Sequence, residues 1–265
     1  MRFGCNVRDP QQAEVVIQAG LDYIEMNLCR LMQLPEEEYE IFARRIEEAP
    51  IKIEFFNLLL PLDGSIPIVG DKANEAQQRA WFQEAFPKAV RLGCRLMVFG
   101  SARARAVPPG FPPERARKQL VDFLKLLMEF AQQYGITVVI EPVCSLEVET
   151  DTIKTVPDAV KLAKEVGHPM LFALCDNYHM FYEREPMSNI VEAGKWIRHA
   201  HISGVDAGRS YPKLDDGHDY GPYLDALCQI GYNDTLSLEC FDMNIAAGLP
   251  ESMKLLKNYY LHTQI

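Results

Sequence analysis

Four residues able to bind a metal or move a proton each close a short apolar run. They are Glu141 in Val139-Ile140-Glu141-Pro142, Asp176 in Leu174-Cys175-Asp176-Asn177-Tyr178-His179, His201 in His199-Ala200-His201-Ile202 and Glu239 in Leu238-Glu239-Cys240. The steps between them are 35, 25 and 38 residues, each about one strand-plus-helix unit. The pattern reads as four consecutive strands, each with one ligand at its C-terminal end, where an α/β barrel places its chemistry.

Two glutamates, an aspartate and a histidine make a hard, oxygen-rich set. It suits one divalent ion, Mn²⁺, Mg²⁺ or Co²⁺, with Zn²⁺ also tolerated. An octahedral ion with four protein ligands keeps two positions for a hydroxy-ketone, whose carbonyl it would polarise as an enediolate forms. Glu141 and Glu239 come from strands across the barrel from each other. One can take a proton and the other return one to the opposite face, as epimerisation requires. Each residue alone has a plainer reading: a paired strand-end charge, a core histidine, or an aspartate capping the next turn. Their recurrence at equivalent strand ends argues for the joint site. His199 points the same way as His201 but one layer deeper, and is read as core.

The elements that must position these residues recur along the whole chain. Apolar strand candidates lie at 2–7, 21–26, 51–56, 95–99, 137–141, 170–175, 197–202 and 235–239, and helical periodicity separates them. The strands are continuous apolar runs, as expected when both faces are buried. Asp9-Pro10 reads as a helix cap and first helical position, with Gly20 as the stop. The helix at 75–92 contains Pro87, which predicts a kink or break, and the last helix is expected over 251–261. Eight such units in one domain over residues 1–265 predict an α/β fold, a single (β/α)8 barrel, rather than an open doubly wound sheet. Four long loops, 57–74, 100–112, 143–155 and 204–220, all follow strands and would rise on the face that carries the carboxylates.

Composition bounds the partners. A net charge of −10 argues against nucleic acid. The seven scattered cysteines hold no CxxC pair and read as reduced, buried thiols in a cytoplasm. There is no signal-peptide pattern and no membrane-length apolar run. Without an added arm after Leu261, a monomer or small homo-oligomer is expected.

At these residues the chain resembles the xylose isomerase-like TIM barrels, specifically their sugar phosphate isomerase/epimerase group. The likeness runs nearly end to end and rests on Ile140-Glu141-Pro142, Cys175-Asp176-Asn177-Tyr178-His179-Met180, His199-Ala200-His201-Ile202-Ser203 and Leu238-Glu239. Phe56-Asn57-Leu58-Leu59-Leu60-Pro61 and Val98-Phe99-Gly100-Ser101 also resemble that group. Ketose 3-epimerases of this kind bind one divalent ion through Glu, Asp, His and Glu. The resemblance therefore implies Glu141, Asp176, His201 and Glu239 as ligands, with both glutamates as the catalytic proton carriers. It further implies substrate contacts at Glu147, His179 and an arginine about six residues after the metal histidine. Here the nearest is Arg209, eight residues on. Asn57, at the end of the third strand, joins the expected substrate contacts. AP endonucleases of the same superfamily also need histidines after strands 3 and 4, where this chain has Asn57 and Gly100-Ser101.

The expected function is a metal-dependent isomerase or epimerase of a small sugar or sugar phosphate. A dehydratase acting on a keto-inositol, and a metal- or sugar-binding module without turnover, are the alternatives. Arg103, Arg105 and Arg115, beside the loop after the fourth strand, could hold a substrate phosphate but are expected to be solvated, and His218 is expected to be a loop residue, with a contact at the substrate rim as the alternative.

Overall fold

Each apolar run forms a parallel strand, and helices pack outside the strands. In the computed structural model the order is β1 (Arg2–Val7), α1 (Pro10–Ala19), β2 (Tyr23–Asn27), α2 (Leu28–Leu31), α3 (Glu36–Glu48), β3 (Ile53–Asn57), α4 (Glu75–Arg91), β4 (Leu96–Phe99), α5 (Ala102–Arg105), α6 (Pro113–Tyr134), β5 (Thr137–Ile140), α7 (Val156–Val166), β6 (Leu171–Asp176), α8 (Asn177–Tyr182), α9 (Ser188–Ala193), β7 (Ile197–Ile202), α10 (Gly221–Gln229), β8 (Thr235–Leu238) and α11 (Ile245–Thr263). The structure describes residues 1–242 and 244–263. The stretch after Leu261, on which the assembly expectation rests, lies partly outside them.

The sheet closes from β1 round to β8, every pair parallel, with Cys5 of β1 opposite Leu238 of β8. This is the expected (β/α)8 TIM barrel. Two apolar layers hold it. A large outer layer packs the helices on the strands. A smaller inner one, Tyr23, Phe55, Leu96, Val98, Val139 and Leu174, plugs the barrel. Such inward side chains make a barrel interior a packed core rather than a pore.

Several boundaries move for local reasons. β2 starts at Tyr23 rather than Leu21, because the Asp22 carboxylate accepts Phe3 N at 2.7 Å and ends the turn there. Short helix α5 stands inside the stretch 100–112 read from the sequence as a loop, and α2 and α8 stand where the sequence reading assigns no element. α4 runs continuously through Pro87. α11 begins at Ile245, six residues early, with Asn244 Oδ1 accepting Ala247 N at 3.3 Å as a cap and Pro250 carried inside the helix. The expected cap at Asp9 is present, its side chain accepting Gln12 N, and Gly20 ends α1 at φ 70°. All seven cysteines are free, and six are buried. Among the described residues no helix is long and apolar enough to cross a membrane.

Candidate metal centre and active site

The pleat of the strands brings the site together. Side chains alternate across a strand, so two residues beyond the inner fillers Val98, Val139 and Leu174 stand Gly100, Glu141 and Asp176. The same step leads from His199 to His201 and from Ser237 to Glu239. Glu141 and Glu239 lie one residue past their strands but are held as strand ends, Glu141 N donating to Phe99 O and Glu239 N to Ile202 O, both at 3.1 Å. A side chain at Gly100 would push the Glu141 carboxylate aside, since its Cβ would stand 1.8 Å from Glu141 Oε2.

Glu141, Asp176, His201 and Glu239 are all buried, and each offers a ligand atom within 4.8 Å of the others. His201 Nδ1 faces the three carboxylates, 2.9 Å from Glu141 Oε1, 3.4 Å from Glu239 Oε2 and 3.8 Å from Asp176 Oδ2. Bonds of about 2.0–2.2 Å to a shared centre span such separations. The four residues therefore fit a divalent ion.

Arg209 belongs to the same cluster. Its Nη2 donates to Asp176 Oδ2 and Glu239 Oε2, both at 2.7 Å, and its guanidinium lies over the rings of Tyr178 and Phe241 at 4.4 and 4.9 Å. The longer spacing from His201 is taken up by a turn in which Arg209 N donates to Asp206 O at 3.0 Å. Arg209 itself sits at φ 43°, in the left-handed region. Asp176 has two tasks: Oδ1 caps α8 by accepting Tyr178 N at 2.7 Å, and Oδ2 faces the site. Asn57 is fully buried, and its Nδ2 donates to Glu239 Oε1 at 2.7 Å.

Burial works against every charge here, and the neighbours decide the outcome. Burial, then the nearby Glu239 charge, pushes the Glu141 carboxyl up. Burial is the largest influence and would raise Asp176 and Glu239 too, but Arg209 and the nearby histidines together outweigh it and hold both below the usual carboxylate range. Burial disfavours the His201 imidazolium, yet Glu25, Glu239 and Glu141 together favour it strongly. A cation at Nδ1 would take the place of that proton.

A carboxylate–histidine centre at the mouth of a closed parallel barrel is the setting, and a family model described as xylose isomerase-like TIM barrel matches residues 13–259. The chain belongs to the xylose isomerase-like TIM barrels. It is 26% identical over 234 residues to an L-ribulose 3-epimerase of Mesorhizobium japonicum, a match covering 86% of this chain and 74% of that protein. A D-allulose 3-epimerase from Methylomonas sp., in complex with D-allulose, has a TM-score of 0.77 at 20% identity, covering 98% of this chain and 97% of the other. A family 2 AP endonuclease from Brucella melitensis has a TM-score of 0.75 at 19% identity, covering 94% and 97%. At these identities the two structures share the fold, and the side chains at the mouth must carry any functional distinction.

In this xylose isomerase-like barrel the cluster opens into a cavity of about 370 Å³, whose lining includes Glu141, Glu147, His179, Arg209 and Glu239. His179 is buried, and burial pushes its imidazole down to about 4. Its Nδ1 accepts Cys144 N at 3.3 Å, so the neutral ring carries its proton on Nε2 and can donate to a bound oxygen. Glu147 is exposed on the cavity wall. His218 stacks edge-on against Phe181 and Tyr220, at 5.2 and 4.7 Å.

Two features escape the sequence reading. Glu25 in β2 is fully buried beneath the site, where Oε1 meets His201 Nε2 and Oε2 meets His199 Nε2, both at 3.0 Å. The signal was a lone carboxylate inside a strand whose five residues are all buried. His199, with Thr235 Oγ1 at 2.9 Å on its other nitrogen, is the core residue expected. Arg105 corrects an expectation. It is fully buried rather than solvated, paired with Asp151 Oδ2 at 2.8 Å. It also donates to Phe99 O at 3.0 Å and Glu141 O at 2.8 Å, clamping the ends of β4 and β5. Arg115 is exposed beside Asp71, as expected, and Arg103 is exposed on the cavity wall.

Proposed function

We propose that this chain is a divalent-metal-dependent isomerase of small sugars, an epimerase or aldose–ketose isomerase, with Glu141 and Glu239 as its proton-transfer groups. The carrying observation is the convergence of Glu141, Asp176, His201 and Glu239 within 4.8 Å at the floor of a sugar-sized cavity. The likeness to an L-ribulose 3-epimerase supports the substrate class. Held by these four residues, Mn²⁺, Mg²⁺, Co²⁺ or Zn²⁺ would polarise the carbonyl of a ketose and acidify the adjacent C–H.

The chain's own groups do the rest. Glu239 is held by Asn57 and Arg209; both donate to its ionised form, which suits the base that removes the proton. Among the described residues no guanidinium donates to the Glu141 carboxylate, and burial favours its protonated form, which suits the acid that delivers a proton. They descend from β8 and β5, so a sugar between them meets one on each face. His179 Nε2–H donates to a substrate oxygen, and Glu147 accepts from hydroxyls at the wall. Nucleic acid is not the substrate in this reading, since the net charge is −10 and Asn57 and Gly100 stand at the ends of β3 and β4.

A panel of ketoses, aldoses, inososes and their phosphates, incubated with the Mn²⁺-loaded protein in D₂O, tests it. Deuterium at one carbon with inversion means epimerase, and deuterium at the neighbouring carbon means isomerase. Loss of water means dehydratase instead, and a panel without exchange refutes the proposal.

A further inference from the structure

Three buried asparagines stand at the upper ends of the first three strands: Asn6 in β1, Asn27 closing β2 and Asn57 closing β3. They form a ladder of hydrogen bonds that runs to Glu239. Asn57 Nδ2 donates to Glu239 Oε1 at 2.7 Å. Asn27 Nδ2 donates to Asn57 Oδ1 at 2.5 Å and, more weakly, to Asn6 Oδ1 at 3.5 Å. The direction of the ladder is set at its Glu239 end. An ionised carboxylate only accepts, so Asn57 turns its amide nitrogen to Glu239 and its oxygen to Asn27, and Asn27 must then donate.

That order leaves two amide atoms over. Asn6 Nδ2 is buried and has no hydrogen-bond partner among the described residues. Asn27 Oδ1 accepts nothing among them, since both contacts of its side chain run from Nδ2. Asn57 is fully buried, whereas Asn6 and Asn27 line the same cavity as Glu141 and Glu239. A buried N–H without an acceptor is costly, and in a folded protein it calls for a reason. The Asn6 amide can move to meet one. Its side-chain contact to Asn27 is long, and the terminal torsion of asparagine is broad, so Nδ2 can swing to a ligand atom without losing a strong bond.

We propose that Asn6 and Asn27 form a hydroxyl-binding subsite in the cavity wall, with Asn27 Oδ1 accepting from, and Asn6 Nδ2 donating to, one hydroxyl of the sugar. A hydroxyl suits this pair because it donates one hydrogen and accepts through its oxygen. A carboxylate would meet Asn27 Oδ1 with a second acceptor. The subsite rests on the isomerase reading for the end of the sugar at Glu141, Asp176, His201 and Glu239. It adds a contact from β1 and β2 to a hydroxyl beyond the carbonyl end. Because Glu239 sets the direction of the ladder, the charge of the proposed base also decides which amide atoms meet the sugar.

Calorimetric titration of the Mn²⁺-loaded protein with D-fructose and its 4-deoxy, 5-deoxy and 6-deoxy analogues tests the subsite, in the wild type, Asn6→Leu and Asn6→Ala. One analogue should bind the wild type roughly tenfold more weakly than D-fructose does. Asn6→Leu should lose roughly tenfold with D-fructose and with the other two analogues, and nothing with that one, since the hydroxyl and the amide act as a pair. Asn6→Ala removes the N–H without filling its space and should show the same pattern. Leucine is close to asparagine in shape, and Asn27 keeps Asn57 as its partner. The unliganded Asn6→Leu protein should therefore melt at the wild-type temperature or above it, whereas an asparagine kept for structure alone would lower it. Wild-type affinity for D-fructose in both variants, an equal loss with all four sugars, or no binding of any of the four overturns the proposal. Deuterium uptake by the same sugars in D₂O, followed alongside, separates it from the isomerase reading. Exchange into D-fructose with affinities unchanged by the variants sinks the subsite alone. Exchange with none of them sinks the isomerase reading, while the titrations still decide the subsite.

Discussion

Glu25 offers the sharpest test of how the centre is built. Its two oxygens accept from the Nε2 atoms of His201 and His199, and Thr235 serves His199 Nδ1. With its proton on Nε2, His201 presents a lone pair at Nδ1 to the carboxylate cluster. A carboxylate behind a metal-binding histidine fixes its tautomer and raises its basicity, and removing such a partner costs about 10- to 100-fold in metal affinity. That is about 1.4–2.8 kcal/mol.

Glu25→Gln keeps the shape but offers one acceptor to two N–H donors. His199 can adapt, because the Thr235 hydroxyl accepts as well as donates. His201 then keeps a neutral acceptor in place of a charged one, and a charge-assisted bond is roughly twice as strong as a neutral one. The expected loss is about tenfold, the lower end of that range. Glu25→Leu removes both acceptors, so the loss should approach about 100-fold, with a further stability cost of about 1–3 kcal/mol for each orphaned N–H. Calorimetric titration with Mn²⁺ and the visible spectrum of the Co²⁺ form report the affinity, and melting of the metal-free protein reports the stability. Wild-type affinity in Glu25→Gln, or a folded Glu25→Leu that binds as well as Glu25→Gln, would refute the reasoning.

Glu239→Gln should lower turnover of an accepted ketose by about 10²–10⁴-fold with the melting temperature little changed, and an unaltered kcat would remove its role as base. Treatment with EDTA should abolish activity and lower the melting temperature, with Mn²⁺ or Co²⁺ restoring both. At a hundredfold excess over Kd the ion adds about 2.7 kcal/mol, and a melting curve indifferent to metal would contradict the site. Glu185 is 6 % exposed with Oε2 unpartnered, and burial pushes its carboxyl up to about 7 from 4.5. The folded protein thus holds this proton more tightly than the unfolded chain, so stability should fall as pH rises from 4.5 to about 7, by at most about 3 kcal/mol. Glu185→Gln should flatten that slope and be the more stable protein at pH 8, and an unchanged slope in denaturant titrations counts against it. Asp151→Ala leaves the buried Arg105 charge unpaired and should cost about 3–5 kcal/mol in the same assay; a loss within error of zero would show that the clamp carries no stability.

Local chemistry explains what was legible in the sequence. Continuous apolar runs mark parallel strands buried on both faces, and eight strand-plus-helix units with ligands on four consecutive strands favour a closed barrel over an open doubly wound sheet. Period-2 alternation then places Glu141, Asp176, His201 and Glu239 on the inward face one layer above the fillers, so the four-residue cluster follows from residue order alone. The rest depends on contacts between residues far apart in the chain. Glu25 and His201 are 176 positions apart, and Asn57 and Glu239 are 182 apart; no local pattern couples them. Arg103 and Arg105 are two residues apart in the same short helix, yet one is exposed on the cavity wall and the other fully buried against Asp151. Composition treats them alike, and only tertiary packing separates the structural arginine from the one exposed on the cavity wall. Arg209 makes the same point in reverse: its spacing departs from the family's, and a turn in the loop after β7 still delivers its guanidinium to Asp176 and Glu239. The sequence determined the barrel and the residues on its rim. The folded loops decided which charges meet, because a side chain's partner is set by position in space and not by distance along the chain.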